Sequence, residues 1–191
     1  MSASRAWQLL LVLSVLGLSW LGMMAVHELG HVLNCILSGG TVVRVVLDPR
    51  EISRTDISPN PHPQFVAWGG AVWGTLIPLV AFAVLRFGVK RFVGPASFFA
   101  GFCAIANGLY LAVGSRAGVG DAGDLLRHGA ATWQLLVFGV PATTLGLWLW
   151  NGLGPRFGLD AAAAKVTRKT AIGAALTLAA VVAVEMAISS H

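Results

Sequence analysis

The sequence predicts an all-α polytopic integral membrane protein with about five transmembrane helices and a small β-hairpin after the first. Three observations predict it. Of 191 residues, 56% are hydrophobic and only 11% charged, and the mean hydropathy is +0.76, far from the mix of a water-soluble domain. Five apolar segments, 7–37, 65–86, 92–113, 131–151 and 170–189, match the roughly 20 helical residues that cross a hydrocarbon core. A polar interval after the first of them, "LSGGTVVRVVLDPREISRTDISPNPHP", has the composition of strands and turns.

The first segment follows Arg5. Its apolar run exceeds the roughly 7–15 residues of a signal-peptide core and lacks an A-x-A site, so a retained helix is expected. Gly39 and Gly40 stop it. "TVVRVVL" is rich in β-branched residues, Asp48-Pro49 marks a turn, and a second short strand is expected at 51–57. Prolines 59, 61 and 63 end the hairpin and lead into the second helix.

In that helix Gly70 and Gly74 are four apart and share a face, a spacing that lets membrane helices approach closely. The third helix holds Asn107, a polar side chain expected to hydrogen-bond between helices. "SRAGVGDAGDLLRHG" is a polar cluster before the fourth. Glu185, near the end of the fifth, reads as a snorkelling or paired carboxylate. No internal repeat divides residues 1–191, which read as a single domain, and the alanine run 161–164 belongs to a short basic loop.

A net charge of +5 raises the question of nucleic acid, but the basic residues are scattered through short loops and form no dense stripe. They suit loops at a lipid surface better. Cys35 and Cys103 fall inside apolar segments and give no sign of a disulfide framework.

The chemistry is concentrated in "HELGH", residues 27 to 31. Ionisable groups within an apolar helix are costly unless a partner or a metal compensates them. His27 and His31, four apart, differ by about 40° around a helix and can reach one ion, with Glu28 beside them to contact a metal-bound water without being a ligand. A zinc ion brings the pKa of such a water toward about 7, and a carboxylate can then accept its proton. With five histidines and three glutamates, shuffled chains of this length contain H-E-x-x-H in about two cases per thousand, so chance explains the motif poorly.

Zinc in a hydrolytic site takes three protein ligands and leaves a position open. Cys35 is excluded, because it lies about 12 Å along the helix axis from His27 and ligand bonds are only about 2 Å. The third ligand must come from another segment. Asp121 and Asp124 are the acidic candidates, with His128 and His62 behind them. Asp121 has a rival role as a helix N-cap, with Asp124 at the third helical position and Arg127 paired to it.

These residues resemble the site-2 protease family, membrane-embedded zinc metalloproteases that cut within or near transmembrane segments. "HELGHVLNCILSGGTVVRVVL" resembles its first core helix, which is followed by a glycine and a short strand. Gly70 to Gly74 matches its G-x-x-x-(N/S/G) motif. "GDAGDLL" resembles its third motif, an Asn, a Pro and then an Asp-Gly, with Asp121 in the ligand's place and Leu125-Leu126 after it. Ala122 stands where the family has glycine, and no proline lies between Asn107 and Asp121. The resemblance covers roughly residues 20–127; the helices at 131–151 and 170–189 fall outside it.

The resemblance implies peptide-bond hydrolysis, with zinc held by His27, His31 and Asp121, Asp124 as the alternative third ligand, and Glu28 as the catalytic base. It places Gly70, Gly74 and Asn107 along the substrate path, the substrate being an extended stretch of a membrane protein or peptide. Partners would be that substrate and the lipid bilayer, with no nucleic acid, in a multi-pass protein of the cell membrane. The rival functions are an inactive binding or regulatory protein that keeps the fold, and a metal transporter. Glu28 argues against the first, and the scarcity of acids and histidines in the other helices argues against the second.

Five helices put the termini on opposite sides. The N-terminal side carries Arg5, Arg86, Lys90, Arg91, Arg156, Lys165, Arg168 and Lys169, the other Arg44, Arg50, Arg54, Arg116 and Arg127. The positive-inside rule thus favours a cytoplasmic N-terminus, whereas the family resemblance would put the hairpin side toward the cytosol. Both orientations stay open.

Overall fold

The computed structural model describes residues 3–159 and 166–189; the alanine run 161–164 and Lys165 lie outside the described residues. Five helices are long and apolar enough to cross a membrane, and a two-stranded antiparallel sheet follows the first. Helix α1 spans Ala3–Leu37, about 52 Å at 1.5 Å per residue, so "HELGH" lies in its last third. Then come β1 (Val42–Val46), β2 (Arg54–Ile57), α2 (Pro63–Phe87), α3 (Val93–Ala117), a short α4 (Gly120–Arg127), α5 (Thr132–Trp150) and α6 (Arg168–Ser189).

Small residues set the helix crossings. A Cβ on Gly30 of α1 would overlap the carbonyl of Gly69 on α2, and one on Gly69 would overlap that of Gly30. Helices α3 and α5 meet in the same way, a Cβ on Gly139 falling 2.5 Å from the Gly108 oxygen. Such approaches matter where apolar side chains gain little by leaving lipid-like surroundings, because packing and interhelical hydrogen bonds must then hold the helices together. Asn34 on α1 adds two of those bonds, donating to the Phe65 carbonyl (2.6 Å) and accepting from the Trp73 indole (2.9 Å).

One core cluster joins Ala67 and Ala71 of α2, Leu111 of α3, Ala122 and Leu125 of α4 and Leu135 of α5. Another packs Met23 and Met24 of α1 on Cys103 of α3. Outward faces carry large apolar side chains such as Leu13, Val80, Val113, Val137 and Leu176. Helix α6 lies along α1, with Leu178 against Gly17 and the Arg168 guanidinium over the Trp7 ring.

The hairpin forms where the β-branched run predicts it, with Val45 opposite Thr55 and an irregularity between Val42 and Arg44. Its second strand begins at Arg54, not at 51, because the chain before it is folded into the turn. Asp48 accepts hydrogen bonds from the Arg50 backbone and guanidinium, and its carbonyl accepts from Glu51 N–H. Those Arg50 bonds hold the Asp48 carboxyl at about 2.

Between α3 and α4 the chain reverses at Gly118 (φ 64°) and Gly120 (φ 57°), a left-handed conformation that costs glycine little. This reversal corrects the capping expectation. The N-cap position belongs to Val119, which offers no capping side chain, and Asp121 sits within the first turn of α4 with its carboxylate free for another role. The expected pairing of Asp124 with Arg127 is present.

Candidate metal centre

Four segments distant in sequence deliver the polar groups. Helix α1 presents His27 and His31, both buried, on the face that meets Gly70 of α2. A Cβ at Gly70 would overlap the Nε2 atoms of both rings, so only glycine lets α2 pass this close. One turn on, a Cβ at Gly74 would lie 2.9 Å from Asn107 Nδ2. Helix α4 brings Asp121, whose backbone N–H donates to the Tyr110 hydroxyl (3.1 Å).

Three atoms converge. Asp121 Oδ2 lies 2.8 Å from His27 Nε2 and 3.2 Å from His31 Nε2, and the two Nε2 atoms are 3.1 Å apart. The outer edges of the rings decide what this means. Asn107 donates through Nδ2 to the Cys103 carbonyl (2.9 Å), which turns its Oδ1 toward His27 Nδ1 (2.7 Å). That nitrogen must therefore carry the proton. His31 Nδ1 likewise donates to the Val66 carbonyl (2.9 Å). In each neutral ring Nε2 is then a bare lone pair.

Two lone pairs and a carboxylate oxygen facing one another at about 3 Å repel unless positive charge lies between them. A proton on His27 Nε2 would satisfy only the contact to Asp121, and a second on His31 would set two imidazolium edges 3.1 Å apart. One cation shared by all three donors resolves the arrangement. A tetrahedral ion with bonds of about 2.0–2.1 Å separates its ligand atoms by roughly 3.3 Å, close to the observed spacings, so the residues fit zinc. The third donor is an anion.

Glu28 stands apart from these three donors but on the same cavity of about 1090 Å³, which His27, His31, Asp121 and Tyr110 also line. Its side chain is buried, and each oxygen accepts one hydroxyl hydrogen bond of 2.7 Å, Oε1 from Ser53 and Oε2 from Thr55. Met23 and Met24 of α1, Ala106 of α3 and Ile52 and Ile57 of the hairpin supply apolar wall.

The other expected residues fall as follows. Asp124 pairs with Arg127 on an exposed face, although it borders the cavity. His128 donates through Nδ1 to the Asp124 carbonyl, and His62 occupies the N-cap position of α2. Cys35 is fully buried against Gly40. Asn107 makes the expected interhelical hydrogen bond and borders the cavity, while Gly70 and Gly74 lie behind the histidines and Asn107 as packing contacts. Glu185 does not snorkel: it is buried, and among the described residues its Oε2 has no hydrogen-bond partner.

Sequence reasoning missed Ser53, Thr55, the Val66 carbonyl and Tyr110. Tyr110 is the chain's only tyrosine and sits one turn after Asn107, a signal that was open to view. The other three carried no pattern that named their partners.

Because Asn107 sets the His27 tautomer, Asn107→Leu is expected to weaken zinc binding about 10- to 100-fold, the range for such supporting hydrogen bonds. Competition against a chromogenic chelator measures it, and unchanged affinity would dismiss the role.

Compared with protein-family models, curated proteins and solved structures, the chain gives no match.

Proposed function

We propose that this chain is an intramembrane zinc metalloprotease, a compact relative of the site-2 proteases that its motifs resemble, hydrolysing peptide bonds in or near transmembrane segments of membrane proteins. The observation that carries the reading is the convergence of two imidazole Nε2 atoms and one carboxylate oxygen, with a separate buried carboxylate on the wall of the same cavity. Three protein donors, with no fourth among the described residues, match the pattern of catalytic zinc; structural sites close with four. Zinc, when bound, would act as a Lewis acid and make water a nucleophile near neutral pH.

The protein's own residues supply the rest. His27, His31 and Asp121 hold the ion, and Asn107 and the Val66 carbonyl fix the two imidazoles in the tautomer that binds. Glu28 takes the proton of the attacking water on a carboxylate oxygen and returns it to the departing amine nitrogen, so no free base or acid is needed. The apolar wall from α1, α3 and the hairpin accepts a membrane-derived segment. That segment must be unwound locally, since a helix shields its carbonyls. The outward Leu and Val faces of the five long helices suit a multi-pass protein in a bilayer. A transporter reading finds no second group of three or more metal-ligating side chains among the described residues.

The test uses the full chain reconstituted in liposomes with a single-span model substrate. Cleavage should stop on treatment with a zinc chelator and return on adding stoichiometric zinc but not magnesium. Cleavage that persists in metal-stripped protein would overturn the reading.

A further inference from the structure

Glu28 is the buried carboxylate on the cavity wall. Among the described residues it has no ion pair, although Arg54 lies between its two hydroxyl partners in sequence and borders the same cavity. Arg54 pairs with Glu51 (3.3 Å) and Asp56 (3.5 Å). Hydroxyl groups orient a carboxylate without neutralising it.

We propose that Ser53 and Thr55 are positioning residues for Glu28, so that the β-hairpin holds the base on α1 in its working orientation; the catalytic part of this rests on the proteolytic reading above. The two residues are separated by one position, and side chains at that spacing in extended chain point the same way. Both hydroxyls thus reach the carboxylate together, Ser53 to one oxygen and Thr55 to the other, each at 2.7 Å. A bond to each oxygen fixes the plane of the carboxylate as well as its position. An ionised carboxylate has about four acceptor sites, and the hydroxyls occupy two. One lone pair per oxygen stays available to water in the cavity.

One arm of the clamp, Thr55, belongs to the paired strand β2, and the other, Ser53, precedes it directly. Thr55 lies opposite Val45 in the sheet, and the turn before Ser53 is locked by Asp48 and Arg50. Displacing the hairpin would therefore free the base, whereas the metal donors on α1 and α4 would keep their places.

Two measurements test this on the full chain. Hydrogen exchange of the β1 and β2 amides is followed in wild type, Glu28→Ala, Ser53→Ala/Thr55→Val and the triple variant. The clamp requires Glu28→Ala and the double variant each to speed exchange about 10-fold, the usual scale for losing a hydrogen bond to a charged group, with the triple adding less than about twofold. Strictly additive effects would overturn the clamp whatever the activity. In the cleavage assay Thr55→Val should lower kcat about 10-fold, since small misplacement of a catalytic group is costly, with KM and zinc content unchanged and Thr55→Ser restoring most of the rate. A wild-type kcat in the folded double variant would overturn the positioning role. Coupled exchange in a protein that cleaves nothing would uphold the clamp and strike down the proteolytic reading instead.

Discussion

Purified Asp121→Ala protein is expected to lose its zinc, from about one ion per chain to less than a tenth, while Asp124→Ala keeps it. The two aspartates are three residues apart on one short helix, so composition and local fold treat them alike. Their surroundings do not. Asp121 Oδ2 is within 3.2 Å of both imidazole nitrogens, and Asp124 is engaged with Arg127 on the outer face. His27→Ala should lose zinc as completely as Asp121→Ala, because removing either leaves two donors of three. Elemental analysis of the membrane-extracted proteins reads the result directly. Zinc retained by Asp121→Ala and lost from Asp124→Ala would reverse the ligand assignment.

The second large effect concerns Glu28. Glu28→Gln preserves the shape of the side chain and an oxygen to accept a hydroxyl, but removes its capacity to take a proton at neutral pH. Cleavage of a model transmembrane substrate is expected to fall about 10³-fold, within the range that general base catalysis contributes, while zinc content stays at the wild-type level. Together the two experiments separate holding the metal from using it. Equal cleavage by wild type and Glu28→Gln would sink the mechanism even if zinc binding behaves as expected.

Much of the scaffold was legible because its rules are local. Long apolar runs specify helices wherever they occur, and the β-branched "TVVRVVL" before Asp48-Pro49 produced the hairpin. The boundary of its second strand shifted to Arg54, because Asp48, Arg50 and Glu51 close a turn through hydrogen bonds that strand propensity does not register. The small spacing of Gly70 and Gly74 announced a close helix contact but not its partner. Neither glycine needs the substrate path to explain it, since the first clears the histidines and the second clears Asn107. The N-cap expectation for Asp121 failed for a related reason: two glycines in left-handed conformation start α4 one residue before it and point its carboxylate inward.

By itself the sequence determined that one helix carries His27, Glu28 and His31, the histidines sharing a face, because the helical repeat is a property of the backbone and needs no distant residue. A zinc ion there would take a third donor from another segment. Only the tertiary structure decided that Asp121, 94 residues from His27, meets both imidazole Nε2 atoms, that Asn107 and the Val66 carbonyl engage the two Nδ1 atoms, and that Ser53 and Thr55 grip Glu28. Those outcomes depend on how closely helices cross and where a chain reverses. The crossings are set by missing side chains at Gly30, Gly69 and Gly70 meeting one another across α1 and α2, a complementarity between segments that no single segment encodes.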